Sequence, residues 1–308
     1  MTYFEFTSRF PDEKAALDFI VEKKYGNGPY TCPVCGCNNN KVYRQKYNSR
    51  ILCCNNCHSE SSVLTGTIFE GTHLDLRMWL YAMNLTIISR KGISALQLQR
   101  ELGMKSYKGA WRMMKKIREA IGKEEMKEVF EAVVEIDETY VGGKSRKKNK
   151  HDDKDNETPN KRGRGTSKTP VVGVKERSSG KVHAVVAKPN KDGKKLTGKQ
   201  LFNVLKKVCK DDTVVMTDQL SSYNILDYPN DKNFTRIKVD HSVMYSLGNG
   251  IHTNGIESFW AILKRGVYGI FHHVSVDYLQ DYVNEFCFRL NYRDNDKAFD
   301  RLVELAVL

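Results

Sequence analysis

Residues 132–143 read AVVEIDETYVGG, an apolar run with acids in its middle that ends at two glycines. Its β-branched residues and its tyrosine predict a β-strand that stops at Gly142. Asp137 lies inside the run, and a carboxylate near the centre of a sheet is costly unless it is paired or bound to a metal. Taken alone, such an acid is more often a strand-end cap or an ion-pair partner, so its meaning depends on the elements around it.

The region that follows alternates between strand and helix patterns. A hairpin is predicted over 170–186, a helix from about 197 to 210, strands at 214–218 and 235–239, and then a long helical C-terminus. This order predicts a mixed α/β domain with an open sheet that is covered by helices. Asp218 ends one of these strands, which makes it the second acid of interest.

A third acid opens the helical stretch 254–265, which reads NGIESFWAILKR. Its apolar residues follow the i, i+3, i+4, i+7 spacing of a buried stripe: Ile256, Phe259, Trp260 and Leu263. Glu257 and Lys264 share the neighbouring face, roughly 10 Å apart along the axis, so an acid and a base could address one extended anionic ligand. Asn254 is a rival oxygen donor one turn earlier, or it simply caps the helix. His252 is a weaker rival.

Six of the eight cysteines lie within residues 32–57. One C-x2-C motif at 32–35 and a second at 54–57 predict two knuckles that bind one tetrahedral zinc ion through four thiolates: Cys32, Cys35, Cys54 and Cys57. Cys37 and Cys53 are next to these positions and could substitute for them. A disulfide framework is disfavoured in a basic chain without a secretion signal. A closed four-thiolate site folds the ribbon and takes no part in catalysis.

A helical pattern runs from Leu74 to about Gly122. Two helices, 93–103 and 106–118, flank a short turn, and the second is rich in Lys and Arg, which is typical of a helix-turn-helix. A helical hairpin that does not bind DNA is the alternative. The candidate DNA contacts on the second helix are Lys108, Arg112, Lys115 and Lys116.

The chain has 308 residues, 40% of them hydrophobic, and a formal net charge of +13. This composition excludes global disorder, and the length predicts two or three domains. The excess charge lies in two places: residues 1–125 hold 19 Lys and Arg against 12 Asp and Glu, and residues 144–168 hold 10 against 4. A nucleic acid is therefore the expected partner. Neither a membrane span nor a signal peptide is evident, so a cytoplasmic, nucleoid-associated protein is expected.

These patterns predict a multidomain α/β protein with three domains. The three predicted domains are a zinc ribbon with a preceding short helix over 1–70, a helical DNA-binding region over 71–125, and the mixed-sheet domain over 126–308. Residues 144–168 contain no aliphatic or aromatic side chain. This segment is predicted to be a disordered basic insertion.

The motifs also resemble a known family when they are taken in order. The cysteine knuckles are followed by LTGTIF at 64–69, IDETYVGGK at 136–144, TD at 217–218, HTNGIESFW at 252–260 and YGIFHHVS at 268–275. This series resembles the zinc-ribbon-bearing DDE transposases of bacterial insertion sequences, the ISXO2-like group. The resemblance covers nearly the whole chain, and it is specific because several independent motifs occur in the same order.

The resemblance implies an RNase H-like catalytic domain whose three acids and following base are Asp137, Asp218, Glu257 and Lys264. The third position of the family motif is an acid or another residue, which leaves Glu257 and Asn254 both open. Three carboxylates from different elements suit two Mg²⁺ or Mn²⁺ ions that promote an in-line displacement at phosphorus. Lys264 and Arg265 are then expected to contact DNA phosphates.

The implied reaction has two steps. Water frees a transposon 3′ hydroxyl, and that hydroxyl then attacks target DNA. The implied partners are double-stranded DNA, both terminal inverted repeats and target, and further copies of this chain on that DNA. Two alternatives stay open: a non-enzymatic zinc-ribbon and helix-turn-helix regulator, and a structure-specific nuclease of the same fold. Metal-dependent nicking of end DNA tests the first alternative, and a strand-transfer product tests the second.

Overall fold

The computed structural model describes residues 1–26, 30–39, 50–126, 129–142, 168–188, 196–239 and 252–308. The chain divides into two compact units, Met1–Glu124 with Tyr292–Leu308, and Glu125–Asn291. Nearly all of the predicted basic insertion, residues 144–167, lies outside the described residues. None of the described helices is both long enough and apolar enough to cross a membrane.

Within its described residues, the first unit combines two small hairpins with six helices. Labels follow chain order, and the hairpins are β1 (Tyr30–Thr31) with β2 (Asn38–Asn39) and β3 (Ile51–Cys53) with β4 (Glu60–Ser62). The helices are α1 (Tyr3–Arg9), α2 (Glu13–Tyr25), α3 (Leu76–Ile88), α4 (Ala95–Glu101), α5 (Tyr107–Ile121) and α9 (Ala298–Val307). Helices α4 and α5 correspond to the two helices predicted over 93–103 and 106–118.

Capping side chains fix where several of these helices begin. The Asp12 carboxylate accepts the backbone N–H of Ala15 (2.8 Å) at the start of α2, and the Ser94 hydroxyl accepts that of Gln97 (3.1 Å) at the start of α4. Each bond satisfies one of the N–H groups that the first turn of a helix leaves without a partner. The sequence thus encodes these helix starts locally.

The C-terminal helix α9 belongs to the first unit, although the sequence division kept residues 126–308 together. Its Phe299 ring lies 6.0 Å from the rings of both Phe10 and Phe19, and Ala306 O accepts the backbone N–H of Ile68 (3.0 Å). Helix α9 packs against α2, α3 and α5. Its apolar residues are therefore buried among elements from the other end of the chain, and the second unit ends at Asn291.

The second unit is a five-stranded mixed sheet with helices on both faces, so the predicted mixed α/β class is confirmed. The elements in chain order are β5 (Val133–Val141), β6 (Thr169–Glu176), β7 (Val182–Val186), α6 (Gly198–Val208), β8 (Val214–Thr217), a 3₁₀ helix (Ser221–Asp227), β9 (Thr235–Lys238), α7 (Asn254–Gly266), a π turn (Val267–Phe271) and α8 (Val276–Asn291). The strand order is β7-β6-β5-β8-β9. Strand β6 runs antiparallel to β5 and β7, and β8 runs parallel to β5 and β9.

Strand β5 lies at the centre of this sheet and contributes side chains to both covering layers. Val134 and Ile136 face the core that contains α6, whereas Val141 faces the core that contains α7 and α8. Successive side chains of a strand alternate between faces. Glu135 and Asp137 consequently lie on the face that α7 covers.

Candidate active site and metal centre

Four cysteines meet where the two hairpins of the first unit turn. Their Sγ atoms all lie within 4.8 Å of one another: Cys32, Cys35, Cys54 and Cys57. The Sγ atoms of Cys32 and Cys57 are 3.7 Å apart, as are those of Cys35 and Cys54. Four thiolates bound to zinc at about 2.3 Å, in a tetrahedron, are separated by ~3.8 Å. The donor set and its spacing therefore fit a zinc ion.

The two halves of this cluster use the same backbone turn. The N–H of Gly36 donates to Cys32 O, and the N–H of His58 donates to Cys54 O, each at 3.0 Å. Both donors adopt a positive φ, 67° at Gly36 and 56° at His58. In each half, the N–H two residues after the first cysteine donates to its sulfur (3.4 Å). His58 therefore occupies the turn position that Gly36 holds in the other half.

The other two cysteines of this region lie outside the cluster. The Cys53 thiol lies 3.9 Å from the backbone oxygens of Cys54 and His58, and Cys37 is half-buried. All eight cysteines lie within the described residues, and none of them forms a disulfide. The structure thus groups one pair of cysteines from each knuckle, with the C-x2-C spacing.

Two acids of the second unit lie in or next to neighbouring parallel strands, Asp137 within β5 and Asp218 directly after β8. The register of β5 on β8 pairs Val133 with Val214 and Glu135 with Met216. Asp137 follows the last paired residue of β5 by two positions, and Asp218 follows the last paired residue of β8 by two positions in the same direction. Neighbouring strands are separated by about 4.8 Å. A parallel pairing between segments that are far apart in the sequence therefore brings Asp218 close enough for its negative charge to raise the pKa of Asp137.

The environment of Asp137 disfavours its charged form. The pKa of Asp137 is raised to about 7, first by burial and then by the negative charges of Glu138 and Asp218. The Trp260 indole Nε1–H, which donates to Asp137 Oδ2 (3.0 Å), acts in the opposite direction. A cation between these carboxylates would relieve both the repulsion and the cost of burial. The acid pair is consequently suited to binding a divalent ion.

Helix α7 passes directly over Asp137, and a glycine makes this close approach possible. Gly173 of β6 is the register partner of Asp137. A Cβ atom at Gly173 would lie only 2.6 Å from the Trp260 ring, which is closer than real carbon atoms approach. Only glycine at position 173 lets the Trp260 indole approach the sheet closely enough for its N–H to reach the Asp137 carboxylate.

Glu257 is exposed on the same helix, one turn before Trp260. Its Oε1 accepts the hydroxyl of Thr253 (3.1 Å). Asp137, Asp218 and Glu257 do not form a tight group, because the cysteine cluster is the one set of ligating side chains, within the described ranges, whose ligand atoms all lie within 4.8 Å. Three carboxylates repel one another unless a cation lies between them.

Helix α7 begins one residue earlier than expected if Asn254 were its N-cap. Asn254 is the first residue of the helix and is exposed, and Thr253 occupies the N-cap position. The interpretation of Asn254 as a cap is therefore wrong, and its side chain remains a rival of Glu257 as an oxygen donor. His252 Nδ1 accepts from the guanidinium of Arg177 (3.0 Å), so this ring nitrogen is engaged away from the acid pair.

The basic residues that were predicted to contact DNA have different surroundings. In α7, Lys264 is half-buried and Arg265 is exposed in the last turn. In α5, Lys108 and Arg112 are exposed. Lys115 pairs with Glu119 (3.3 Å).

Lys116 is engaged within the first unit. Its Nζ donates to Ile68 O (2.8 Å) and Glu70 O (3.4 Å), and it lies 5.9 Å from the centre of the Trp79 ring. The ammonium group therefore holds the segment after β4 against α5. Of the four predicted contacts on α5, Lys108 and Arg112 remain the most accessible.

The sequence patterns did not single out Glu135, which is 1% exposed on the same face of β5 as Asp137. Its Oε1 accepts from Arg177 Nε (2.8 Å), and its Oε2 accepts the backbone N–H of Ile256 (2.9 Å). The signal was present, because strand alternation places positions 135 and 137 on one face and both are acids within an apolar run. The sequence pattern does not show the hydrogen-bond partner of Glu135, which is the backbone N–H of Ile256 in a helix much later in the chain.

Comparison with known proteins agrees with this division of the chain. A model of the ISXO2-like transposase domain matches residues 130–291, and the second compact unit ends at the same residue, Asn291. The match includes both acids, β5 to β9, and helices α6 to α8. Residues 292–308 lie outside the match, as they lie outside the second unit.

Two curated proteins are similar to the chain. An uncharacterized protein in transposable element ISH50 of Halobacterium salinarum is 28% identical over 303 residues, which cover 97% of this chain and 98% of the relative. An uncharacterized transposase-like protein of Haemophilus influenzae is 29% identical over 106 residues, which cover 34% of this chain and 82% of the relative. The resemblance inferred from the motifs is thereby confirmed, and the chain belongs to the ISXO2-like transposase family.

Proposed function

We propose that this protein is the transposase of an insertion sequence. It binds the terminal inverted repeats of the element, cleaves a phosphodiester bond at each end, and transfers the freed 3′ ends to target DNA. In the first step water attacks the phosphorus, and the departing 3′ oxygen becomes the transposon 3′ hydroxyl. In the second step that hydroxyl attacks a target phosphorus, and a target 3′ hydroxyl leaves.

The observation that carries this proposal is the acid pair made by Asp137 in β5 and Asp218 directly after β8. The pKa of Asp137 is raised to about 7 by burial and by the neighbouring negative charges of Glu138 and Asp218. Oxygen donors of this kind fit Mg²⁺ or Mn²⁺. A bound pair of such ions would activate the attacking oxygen and stabilise the leaving oxygen. Asp137 and Asp218 would hold these ions.

The face of α7 supplies the remaining groups of the site. Glu257 is the proposed third acid, and Asn254 is its rival one turn earlier. Lys264 lies two turns after Glu257, where its ammonium group can neutralise a DNA phosphate as a point charge. Arg265 is exposed beside it and can contact the same backbone. The Trp260 indole holds α7 next to Asp137. Lys264 and Arg265 on this helix would therefore bind DNA phosphates near the acid pair.

The first unit is proposed to recognise the DNA ends. Zinc bound by the four clustered cysteines would fold the ribbon, and α4 with α5 would act as a helix-turn-helix. The exposed side chains of Lys108 and Arg112 are the leading contacts, whereas Lys115 and Lys116 have partners within the unit. Binding through such contacts weakens steeply with salt, because each neutralised phosphate releases counterions. Oligomerisation on paired ends belongs to the same proposal.

The test is cleavage of a duplex that carries an end of the element, with zinc-loaded full-length protein and either Mg²⁺ or Mn²⁺. We expect nicking at the element boundary and, with target DNA present, a strand-transfer product. Binding without nicking would instead favour the non-enzymatic regulator. Nicking without strand transfer would favour a structure-specific nuclease.

The third ligand is decided by two variants in the same assay. Glu257→Ala is expected to abolish cleavage and to leave end binding intact, because the exposed carboxylate contributes little to the fold. Asn254→Ala is expected to retain most of the cleavage rate. If Glu257→Ala cleaves and Asn254→Ala does not, then Asn254 holds the third position.

A further inference from the structure

We propose that Glu135 is a positioning residue that attaches the N-terminus of α7 to the central strand and thereby sets where Glu257 lies relative to the acid pair. The assignment of a role to Glu257 rests on the proposed function, whereas the attachment itself rests on the contacts of Glu135. Strand alternation marks Glu135 as an acid on the same face as Asp137, but its contact with α7 cannot be predicted because that helix lies far away in sequence.

The first contact is between the carboxylate and the backbone of the helix. Glu135 Oε2 accepts the N–H of Ile256, the third residue of α7, at 2.9 Å. The first N–H groups of a helix have no acceptor within the helix, so they need one from a cap or from another element. At the N-cap, the Thr253 hydroxyl donates to Glu257 Oε1. Glu135 therefore supplies, from the sheet, an acceptor for the first turn of α7.

The second observation is a glycine in the helix opposite this carboxylate. A Cβ atom at Gly255 would lie 2.7 Å from Glu135 Oε2 and 3.2 Å from both Oε1 and Cδ. The carboxylate thus packs directly against the helix backbone, and a side chain at position 255 would have to displace it. The contact is tight enough to fix the distance between β5 and the first turn of α7.

Cations complete the surroundings of the buried carboxylate. Arg177 Nε donates to Glu135 Oε1 (2.8 Å), and its Nη2 donates to Nδ1 (3.0 Å) and to the backbone oxygen of His252. Lys175, the register partner of Glu135, donates to Gly255 O (3.2 Å). A buried acid is stable only when it is paired and hydrogen-bonded in this way. Arg177 also holds the residue that precedes the N-cap of the helix.

Helix α7 is consequently attached to β5 at two points. Glu135 holds Ile256, and two residues along the strand Asp137 accepts the indole N–H of Trp260. Glu257 lies between these attachments, immediately after Ile256. Two fixed points on one helix determine both its rotation and its position along the axis. Loss of the first point frees the turn that carries Glu257 and leaves the Trp260 contact in place.

The experiment compares Glu135→Ala, Glu135→Gln and a control, Glu176→Ala, in zinc-loaded full-length protein. Glu176 is also a buried carboxylate of the sheet, 4% exposed, and it accepts the backbone N–H of Glu131 (2.6 Å) and the hydroxyl of Ser179. These contacts do not involve α7. The measurements are the cleavage rate of end DNA as a function of Mn²⁺ concentration, the affinity for end DNA and the thermal midpoint.

Glu135→Ala is expected to lower the cleavage rate by about 10- to 100-fold and to raise the Mn²⁺ concentration for half-maximal cleavage, with end affinity unchanged. Glu135→Gln should recover much of the loss, because its amide oxygen can still accept the Ile256 N–H. Glu176→Ala should lower the thermal midpoint without changing the metal dependence. If Glu135→Ala and Glu176→Ala lose cleavage only in proportion to their lost stability, or if the Gln variant recovers nothing, Glu135 is merely structural.

A second variant covers the case in which Glu135→Ala does not fold. Gly255→Ala retains every polar group and displaces only the carboxylate, so it should show the same change in metal dependence. A Gly255→Ala variant with wild-type metal dependence would overturn the proposal.

Amide hydrogen exchange separates the failure of this proposal from failure of the proposed function. Exchange at Ile256 should be about 10- to 100-fold faster in Glu135→Ala, and unchanged in Glu176→Ala, whether or not the protein cleaves DNA. If the wild-type protein cleaves no end DNA with any divalent ion, the proposed function fails, and Ile256 exchange decides the attachment alone. Unchanged exchange at Ile256 in Glu135→Ala overturns the attachment.

Discussion

The two candidate metal sites of this chain are built in opposite ways. The cysteine cluster comes from two turns of the same design within positions 32–57, whereas the acid pair combines Asp137 of β5 with Asp218 directly after β8, far along the sequence. The first site needs only two local turns and the ion that joins them. The second needs a parallel strand pairing, a helix above it and glycines that let that helix approach. Residue spacing therefore predicts how the ligands of a local site are grouped, whereas for a site made by sheet pairing the sequence marks the acids without showing how they meet.

The largest expected effect comes from removing one cysteine from each knuckle. Cys35→Ser with Cys54→Ser should abolish zinc binding and unfold both hairpins, because a structural zinc supplies ~10–16 kcal/mol of apparent binding free energy that is also folding free energy. Metal analysis of protein purified without chelator measures the zinc content. Cys37→Ser with Cys53→Ser is the matched control and should retain one zinc per chain. Equal zinc content in both double variants would contradict the assignment of the four clustered cysteines as the zinc ligands.

The acid site should respond to pH as well as to substitution. The folded-state pKa of Asp137, about 7, lies above its ordinary value of 3.8, so the folded chain binds the extra proton and loses stability as pH rises between these values. Asp137→Asn should abolish cleavage, yet raise the free energy of unfolding by about 4 kcal/mol at pH 8 and by less than about 1 kcal/mol at pH 4.

Urea unfolding of zinc-loaded protein without Mg²⁺, at both pH values, measures this difference. Added Mg²⁺ should stabilise the wild-type protein more than Asp137→Asn, because the carboxylate that binds the ion is missing from the variant. The same stability difference at pH 4 and pH 8 would contradict the burial of an uncompensated acid at position 137.

A smaller effect tests the approach of α7 to the sheet. Gly173→Ala places a methyl group 2.6 Å from the Trp260 ring and should destabilise the protein by about 1–3 kcal/mol. It should also weaken cleavage, because the indole can no longer reach Asp137. Gly269→Ala is the control, since a Cβ there meets nothing within 4 Å. Chemical denaturation and the cleavage assay together measure both effects, and equal outcomes for the two variants would show that the contact is unimportant.

The smallest effect concerns the turn that the two cysteine knuckles share. His58 has a φ of 56°, a left-handed conformation that glycine adopts without steric cost and that costs other residues about 1–2 kcal/mol. His58→Gly should leave zinc content unchanged and stabilise the ribbon by up to about 1 kcal/mol. The reverse substitution in the other knuckle, Gly36→Ala, should destabilise it by a similar amount. Zinc loss in His58→Gly would indicate that the imidazole is a ligand.

The sequence by itself determined the features whose cause is local. The C-x2-C spacing predicts the cysteine cluster, the caps at Asp12 and Ser94 mark helix starts, and alternation along β5 marks a strand with acids on one face. The order of motifs is also local information, and it was sufficient to identify the family. These features depend on neighbouring residues, so they can be predicted without knowing where the rest of the chain lies.

Only the tertiary structure decided which distant residues meet. The pairing of β5 with β8 brings the charge of Asp218 near Asp137, and Glu135 accepts a backbone N–H from α7. Helix α9 shows the same limit, because its amphipathic pattern predicts a buried face and cannot tell which unit buries it. The physical reason is common to all three cases. A hydrogen bond or an apolar contact depends on distance in space, and periodicity in the sequence specifies a face without specifying its partner.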